Sequence, residues 1–387
     1  MAVPVTYNLR NLIERKGTTL MTAVGIGLTV AVLVTSLALQ KGLAAVFGGS
    51  GDPNHLVVLR KGVSAELTSS VSTDAYQIIR QLPGISTDSR GEPMVSPEML
   101  TVVNLPSVDS PEGMNVTVRG LLPIGISMRE VAVDKGRMFQ PGLRELIVGD
   151  AIARRYPDAQ IGKKLHFGRG DWEVVGIFHV GESTANSEAW VDLNQLGGDF
   201  DRHGSSSSVL VSSGSEAART QLIDSISNDQ RLGSNVMGER EYYASITDAG
   251  AAIKGLGFSV AIIMAVGSAF AATNTMYAAV SRRTREIGTL RALGFGRGAI
   301  LVSFVFESIC LSLIGGILGV LLALPINGMN SAVGSFVTFS ETAFKFRIGL
   351  DSIIKGLIFA VVIGALGGFL PAWSASRKGI VAAMRDL

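Results

Sequence analysis

The chain has 387 residues, 47% of them hydrophobic and 17% charged, where an ordinary soluble chain carries about 25% charged residues. With a mean hydropathy of +0.37, this composition excludes a soluble enzyme of such a length. A net charge of +2 offers no field aimed at nucleic acid, and a lone cysteine, Cys310, excludes an intrachain disulfide and reads as a small buried hydrophobe.

Residues 1–17 place Val5, Leu9, Leu12 and Ile13 on one helical face beside Arg10, Arg15 and Lys16. That pattern suits an amphipathic helix on the inner membrane surface, or a basic flank that only sets topology. Residues 18–40 carry no charge and are long enough to cross a hydrocarbon core of about 30 Å. They also exceed the apolar region of a signal peptide, roughly 7–15 residues, so a retained span with its N-terminus inside is expected.

Residues 41–250 are far too many for a loop and predict an outer α+β domain. His55–Arg60, Asn115–Arg119, Glu145–Val148, Trp172–Phe178, Ala189–Leu193 and Ser208–Val211 read as strands. Thr73 is positioned to cap a helix with Ala75, Ile78, Ile79 and Leu82 on one face, and Ser215 a second with Ala218, Leu222 and Ile226. Residues 84–111 and 197–208, rich in Pro, Gly or Ser, read as loops.

Residues 251–280 predict a second span, with Lys254 at its outer end and Ala261, Ala265, Ser268 and Ala272 as a small-residue side. A basic block occupies 281–298. The third span, 299–324, ends at Pro325 and holds the GxxxG pair Gly315 and Gly319; an outer loop fills 325–351. The fourth, 352–376, holds Gly364 and Gly368, and a basic tail with Arg377, Lys378 and Arg385 fills 377–387. Such pairs suggest self-association, or pairing with a related membrane protein. The fold class expected is an α-helical membrane protein with four transmembrane helices and a large extracytoplasmic α+β domain inserted between helices 1 and 2. Both termini lie on the basic, cytoplasmic side.

The stretch Ser281–Ile300 is the candidate functional element. Arg282, Arg283, Arg285, Arg291 and Arg297 face only Glu286 in opposite charge. Each Arg costs about 2.5–3.5 kcal/mol at the centre of a spanning helix, so the block stays in water on the cytoplasmic side. Good helix formers followed by Gly294 predict a short helix at the membrane surface, where a cytoplasmic partner can push on the protein.

Catalytic motifs are weak by comparison. No GxxxxGK[ST] occurs, and Gly162-Lys163-Lys164 lacks its outer elements, so ATP is not bound by that route. The four histidines show no metal-ligand spacing, and the closeness of His179, Glu182 and Ser183 in sequence is no triad. Arg169-Gly170-Asp171 reads as a hairpin turn, and Asn115-Val116-Thr117 as a strand bearing a weak glycosylation signal. Glu307 is the one acidic residue deep in a span. A structural hydrogen bond is favoured over a functional role, because no second intramembrane charge offers it a relay partner.

Together these stretches resemble the transmembrane subunits of the MacB/FtsX-like ABC transporter permease superfamily. Arg283-Thr284-Arg285-Glu286-Ile287-Gly288 with Arg291-Ala292-Leu293-Gly294 resembles its coupling helix. Phe306-Glu307-Ser308 and Leu313-Ile314-Gly315-Gly316 resemble the start of its third span. Gly367 to Leu387, with Pro371-Ala372 and Ala382-Ala383-Met384-Arg385, resembles its last helix and tail. Gly136-Arg137-Met138-Phe139, Ala151–Arg155, Ile161-Gly162-Lys163 and Val174–Phe178 resemble its periplasmic core domain. Trp373–Ser376, standing before Arg377 where the family tail is more basic, departs from the pattern.

The resemblance implies a separate ABC ATPase subunit that carries ATP and Mg and grips Arg285, Glu286, Ile287, Gly288, Leu290, Arg291, Ala292, Leu293 and Gly294. No cofactor is expected in this chain itself. It further implies a second copy or a related permease, a periplasmic adaptor, and the bacterial inner membrane as location. Motion would pass along the second span, continuous with the coupling helix, to the outer domain for export, extraction or mechanotransmission. Two other readings stay open: a membrane-anchored receptor or regulator without an ATPase, and a tethered outer enzyme.

Overall fold

The computed structural model describes residues 16–108, 111–249, 251–334 and 339–377. The amphipathic helix expected over 1–17, except its last two residues, and the tail beyond Arg377 lie outside the described residues. The chain divides into two compact units: Met1–Gly42, Ala251–Met329 and Lys345–Leu387 form one, Leu43–Gly250 and Asn330–Phe344 the other.

In chain order the helices are α1 (Lys16–Gly48), α2 (Thr73–Ile79), α3 (Pro123–Met128), α4 (Asp150–Arg155), α5 (Leu193–Asp199), α6 (Glu216–Asn228), α7 (Glu239–Ala249), α8 (Ala251–Arg282), α9 (Thr284–Ala292), α10 (Arg297–Ala323) and α11 (Leu350–Arg377). Strands β1 (His55–Arg60), β2 (Val71–Ser72), β3 (Val95–Leu105), β4 (Met114–Leu121), β5 (Val133–Gly136), β6 (Glu145–Gly149) and β7 (Lys164–Phe167) are followed by β8 (Gly170–Phe178), β9 (Glu188–Asp192), β10 (Ser205–Ser206), β11 (Ser208–Ser212), β12 (Ser234–Gly238), β13 (Asn330–Gly334) and β14 (Glu341–Lys345).

Among the described residues four helices are long and apolar enough to cross a membrane: the segments are Thr19–Gly48, Phe258–Arg282, Arg297–Ile326 and Leu350–Arg377. Helix α1 buries Ala23, Ile26, Val30, Val34 and Ala38 at helical spacing, while Leu20, Met21, Val24 and Leu28 face outward. A helix apolar on every side suits lipid rather than water. Ile26, Val30 and Val34 pack with Ala272 of α8, Val320 and Ala323 of α10, and Ala360 and Ile363 of α11.

The glycine pairs serve this packing. A Cβ at Gly319 would stand 2.3 Å from the Gly27 carbonyl oxygen, and one at Gly315 2.8 Å from that of Ala23. At Gly364 it would meet Ser312 Oγ at 2.1 Å, and at Gly368 Ser308 Cβ at 2.4 Å. Both GxxxG faces are filled by neighbours in the same chain, which corrects the expectation that they pair with a second copy. Their closeness lets Ser308 Oγ donate to the Gly364 carbonyl at 2.7 Å, and Thr273 Oγ1 to that of Gly367 at 2.9 Å.

The second unit is built on a ten-stranded sheet in the order β12-β1-β11-β3-β4-β9-β6-β8-β5, with β7 also paired to β8. β4–β9 and β6–β8 are parallel pairs. Strand β1 shows why its sequence is an unbroken apolar run. Leu56 and Val58 pack with Ile79, Leu222 and Ile226 on one face, and Val57 and Leu59 with Tyr242, Tyr243 and Ile246 of α7 on the other.

Four expectations need correction here. The stretch 84–111 is no loop, since it holds β3, the longest strand described. Pro97 and the buried Glu98 within it hide the strand signature. Likewise α5 and β10 enter the stretch 197–208. Ser72, not Thr73, caps α2, its Oγ accepting the Ala75 N–H. The outer loop 325–351 contains the hairpin β13–β14, which belongs to the second unit. It is fastened there by Thr117 Oγ1 donating to Ser340 Oγ at 2.7 Å and by the Arg155–Glu341 ion pair at 2.9 Å.

Candidate functional site

The basic block folds as a bracket between two spanning helices. Helix α8 ends at Arg282, and Arg283 leaves helical geometry at φ −110°, ψ 18° before α9 begins. The expectation that the second span is continuous with the coupling helix is corrected, because one residue interrupts it. At the other end Gly294 takes φ +94°, a conformation glycine adopts without strain. Gly296 then precedes α10.

Helix α9 has two unlike faces. Ile287 and Gly288 point inward, and Ile287 packs among Met276, Ala279, Val280, Ile300, Phe304, Ala372 and Ala375, residues of α8, α10 and α11. Leu290 and Arg291 are half-buried, and Arg291 Nη1 donates to the Ser376 carbonyl at 3.5 Å. Arg285, Glu286, Ala292, Leu293 and Gly294 are exposed. Leu293 is 67% exposed, the one large apolar side chain among these five.

Sequence reasoning missed Arg283. Its side chain is 2% exposed, and Nη1 donates to both carboxylate oxygens of Glu307, at 2.8 and 3.2 Å. Nε donates to Glu286 at 2.9 Å, and the guanidinium lies 5.2 Å from the centre of the Phe304 ring. The view that Glu307 has no charged partner in the membrane is thus corrected. The signal was present in outline: a lone carboxylate in a span demands a cation, and five arginines stand just before it. Only the fold-back at Arg283 tells which one reaches it. Removing Arg283 would strip the buried Glu307 of its arginine, a loss of about 3–5 kcal/mol, whereas removing Glu307 would leave Arg283 with Glu286.

The outer unit holds a second buried ionic cluster. Arg119 on β4 donates to Glu188 at 2.8 and 2.9 Å, to Glu98 at 2.7 Å and to Glu66 at 3.0 and 3.2 Å. Arg129 bridges Glu98 and Glu239, and Glu239 also accepts from the Asp52 N–H at 3.0 Å and pairs with His55 Nδ1 at 3.1 Å. Burial pushes the Glu239 carboxyl up, but the Arg129 charge and the bonds from His55 and Asp52 outweigh it and bring it to about 2. His55, Arg129 and Glu239 line a cavity of about 480 Å³ with Asp52, Glu130 and Trp190. His179 pairs with Asp150 at 3.2 Å, and Ser183 Oγ accepts the Ala185 N–H, so His179 and Ser183 form no catalytic pair.

Two family models match this chain. The MacB-like periplasmic core domain covers residues 19–229, more than half of it, and the FtsX-like permease C-terminal covers residues 258–380. The chain belongs to the MacB/FtsX-like ABC transporter permeases. It is 26% identical over 292 residues to a Bacillus subtilis protein named uncharacterized ABC transporter permease YknZ, covering 71% of each chain. It is 24% identical over 398 residues to the macrolide export ATP-binding/permease protein MacB of Bartonella henselae, covering 94% of this chain and 56% of that one. The chain thus spans little more than half the length of that relative. The solved extracellular domain of YknZ covers 48% of this chain at 18% identity and a TM-score of 0.37, too low to carry weight. In this permease the FtsX-like match contains the α9 bracket and Glu307, and the MacB-like match contains Arg119 and Arg129.

Proposed function

We propose that this permease is moved by a separate ABC ATPase that grips the exposed face of α9, and that it passes the motion to its outer domain. ATP and Mg belong to the partner subunit, and the residues that meet it are Arg285, Glu286, Leu290, Arg291, Ala292, Leu293 and Gly294. Ile287 and Gly288 hold α9 from behind. The observation that carries this reading is the division of α9 into a face packed on three spanning helices and a face left to solvent with Leu293 on it. A helix fastened on one side and bare on the other is built to receive a push.

In this reading both termini and α9 lie in the cytoplasm, the membrane is the bacterial inner membrane, and the outer domain works in the periplasm or outside the cell. Export, extraction of a membrane-bound substrate and mechanotransmission would all use the same stroke. A second permease copy or a related one completes the complex, with an adaptor as a further partner.

The test is purification of the full chain from its native membranes in mild detergent. A P-loop ATPase should accompany it, with recovery falling at least tenfold for Leu293→Glu or Arg285→Glu while the permease yield is unchanged. Purification of the native chain with no nucleotide-hydrolysing protein would instead favour a receptor or regulator. Equal ATPase recovery with both variants would remove α9 as the contact.

A further inference from the structure

We infer that Arg283 is a positioning residue which, through Glu307, locks α9 to α10, so that a push on α9 moves the third spanning helix with it. The inference rests on the proposed coupling role of α9 but concerns this chain's own rigidity. Arg283 is the one residue between α8 and α9 outside helical geometry. A backbone break of that kind is where a push would be lost as bending. The same residue sends its guanidinium, 2% exposed, to a carboxylate ten residues into α10. The hinge is therefore clamped by its own side chain.

The clamp also has an outer end. Arg283 Nε holds Glu286, whose side chain is 55% exposed on the face offered to the partner. One guanidinium is thus shared between a carboxylate in water and one buried in the helix bundle. A planar fork with several donors can serve both at fixed angles, which an ammonium cannot. Ile287 supplies apolar contact on the same side, and the guanidinium adds directed bonds to that packing.

The test uses the full chain with Cys310→Ser, placed in lipid nanodiscs without any partner. Spin labels at Thr289 on α9 and Leu321 on α10, both exposed, report the distance between the helices. A narrow distribution is expected for the parent. Its width should at least double in Glu307→Gln and return in Arg283→Glu with Glu307→Arg. Glu286→Gln, a surface change that does not threaten folding, should give a smaller broadening. Widths unchanged in both Glu307→Gln and Glu286→Gln would overturn the inference. The second arm uses whatever ATPase co-purifies. Glu307→Gln should keep the amount of complex and lose the permease-dependent stimulation of hydrolysis, whereas full stimulation would overturn a role in coupling. If no ATPase accompanies the parent, the proposed function fails, and the distance measurement still decides the lock.

Discussion

The two buried ionic sites of this permease differ in where they sit on the backbone. In the outer domain Arg119, Glu98 and Glu188 stand on β4, β3 and β9, in the middle of a sheet whose ladder already fixes them. In the membrane unit Arg283 stands at the one residue where α8 gives way to α9. The first site has four carboxylates around two arginines, and each arginine pairs with at least two of them; the described contacts of Glu307 include one arginine. Charges placed on a backbone that is already held determine which fold the sheet completes. A charge placed where the backbone is free determines an angle. Buried ion pairs are weak evidence for stability in either setting, so the contrast is best tested by removing members one at a time.

The largest effect is expected at Arg119. Arg119→Met leaves Glu66, Glu98 and Glu188 buried with Arg129 as the nearest remaining guanidinium. A single broken pair of this kind loses about 3–5 kcal/mol, and a domain has only about 5–15 kcal/mol in total. The outer domain should unfold, read as loss of resistance to limited proteolysis in the full chain while the spanning helices stay protected.

The Arg283–Glu307 pair should behave differently. Arg283→Met should destabilise by about 3–5 kcal/mol, Glu307→Leu by less because Glu286 still pairs with Arg283, and the two together by less than Arg283→Met alone, because no buried charge is then stripped of its partner. Thermal denaturation in detergent measures both. A double variant as unstable as Arg283→Met would mean that the pair itself carries stability, and the contrast with the outer cluster would shrink.

Acid gives the next effect, with a definite sign. The Glu239 carboxyl is held at about 2 in the folded protein, below its ordinary value of about 4.3. Its contribution is therefore present above about pH 4.5 and is lost as the pH falls toward 2, on the order of 3 kcal/mol in all. The outer domain should melt at lower temperature as pH drops through that window. Glu239→Gln should flatten the dependence, and an unchanged slope would show that another carboxylate of the cluster carries it.

Much of this molecule can be read from its sequence where one physical rule acts alone. The four apolar segments needed only length and hydropathy, and β1 and β11 needed only their unbroken runs of Leu and Val. Where two rules compete, reading fails. β3 was hidden because Glu98 points into the charged cluster and Pro97 interrupts the run, although both belong to a central strand. The glycine pairs were visible, but a small residue shows only that something comes close; that the neighbour is Gly27 of the same chain depends on how α1 and α10 cross. The hairpin β13–β14 resembled a loop because two strands of five residues cannot be stable alone, and its ties to Thr117 and Arg155 are long-range. Seven of the nine candidate coupling residues lay on one short helix and Leu293 and Gly294 just past its end, yet sequence could not tell that Ile287 and Gly288 face inward while Leu293 does not.

The smallest effect belongs to an ion pair that is not buried. Lys41 Nζ lies 2.5 Å from Asp351, with both side chains about half exposed. It joins α1 to α11 in the same unit as Arg283–Glu307, so burial is the main difference between the two pairs. Exposed pairs contribute about 0–1 kcal/mol and are screened by salt. Asp351→Asn should thus shift the melting temperature only slightly at low salt and not at all near 1 M, whereas the loss from Glu307→Leu should hold at both. Equal salt sensitivity of the two variants would show that water reaches Glu307, and the membrane pair would then belong with the surface bridges rather than with a rigid joint.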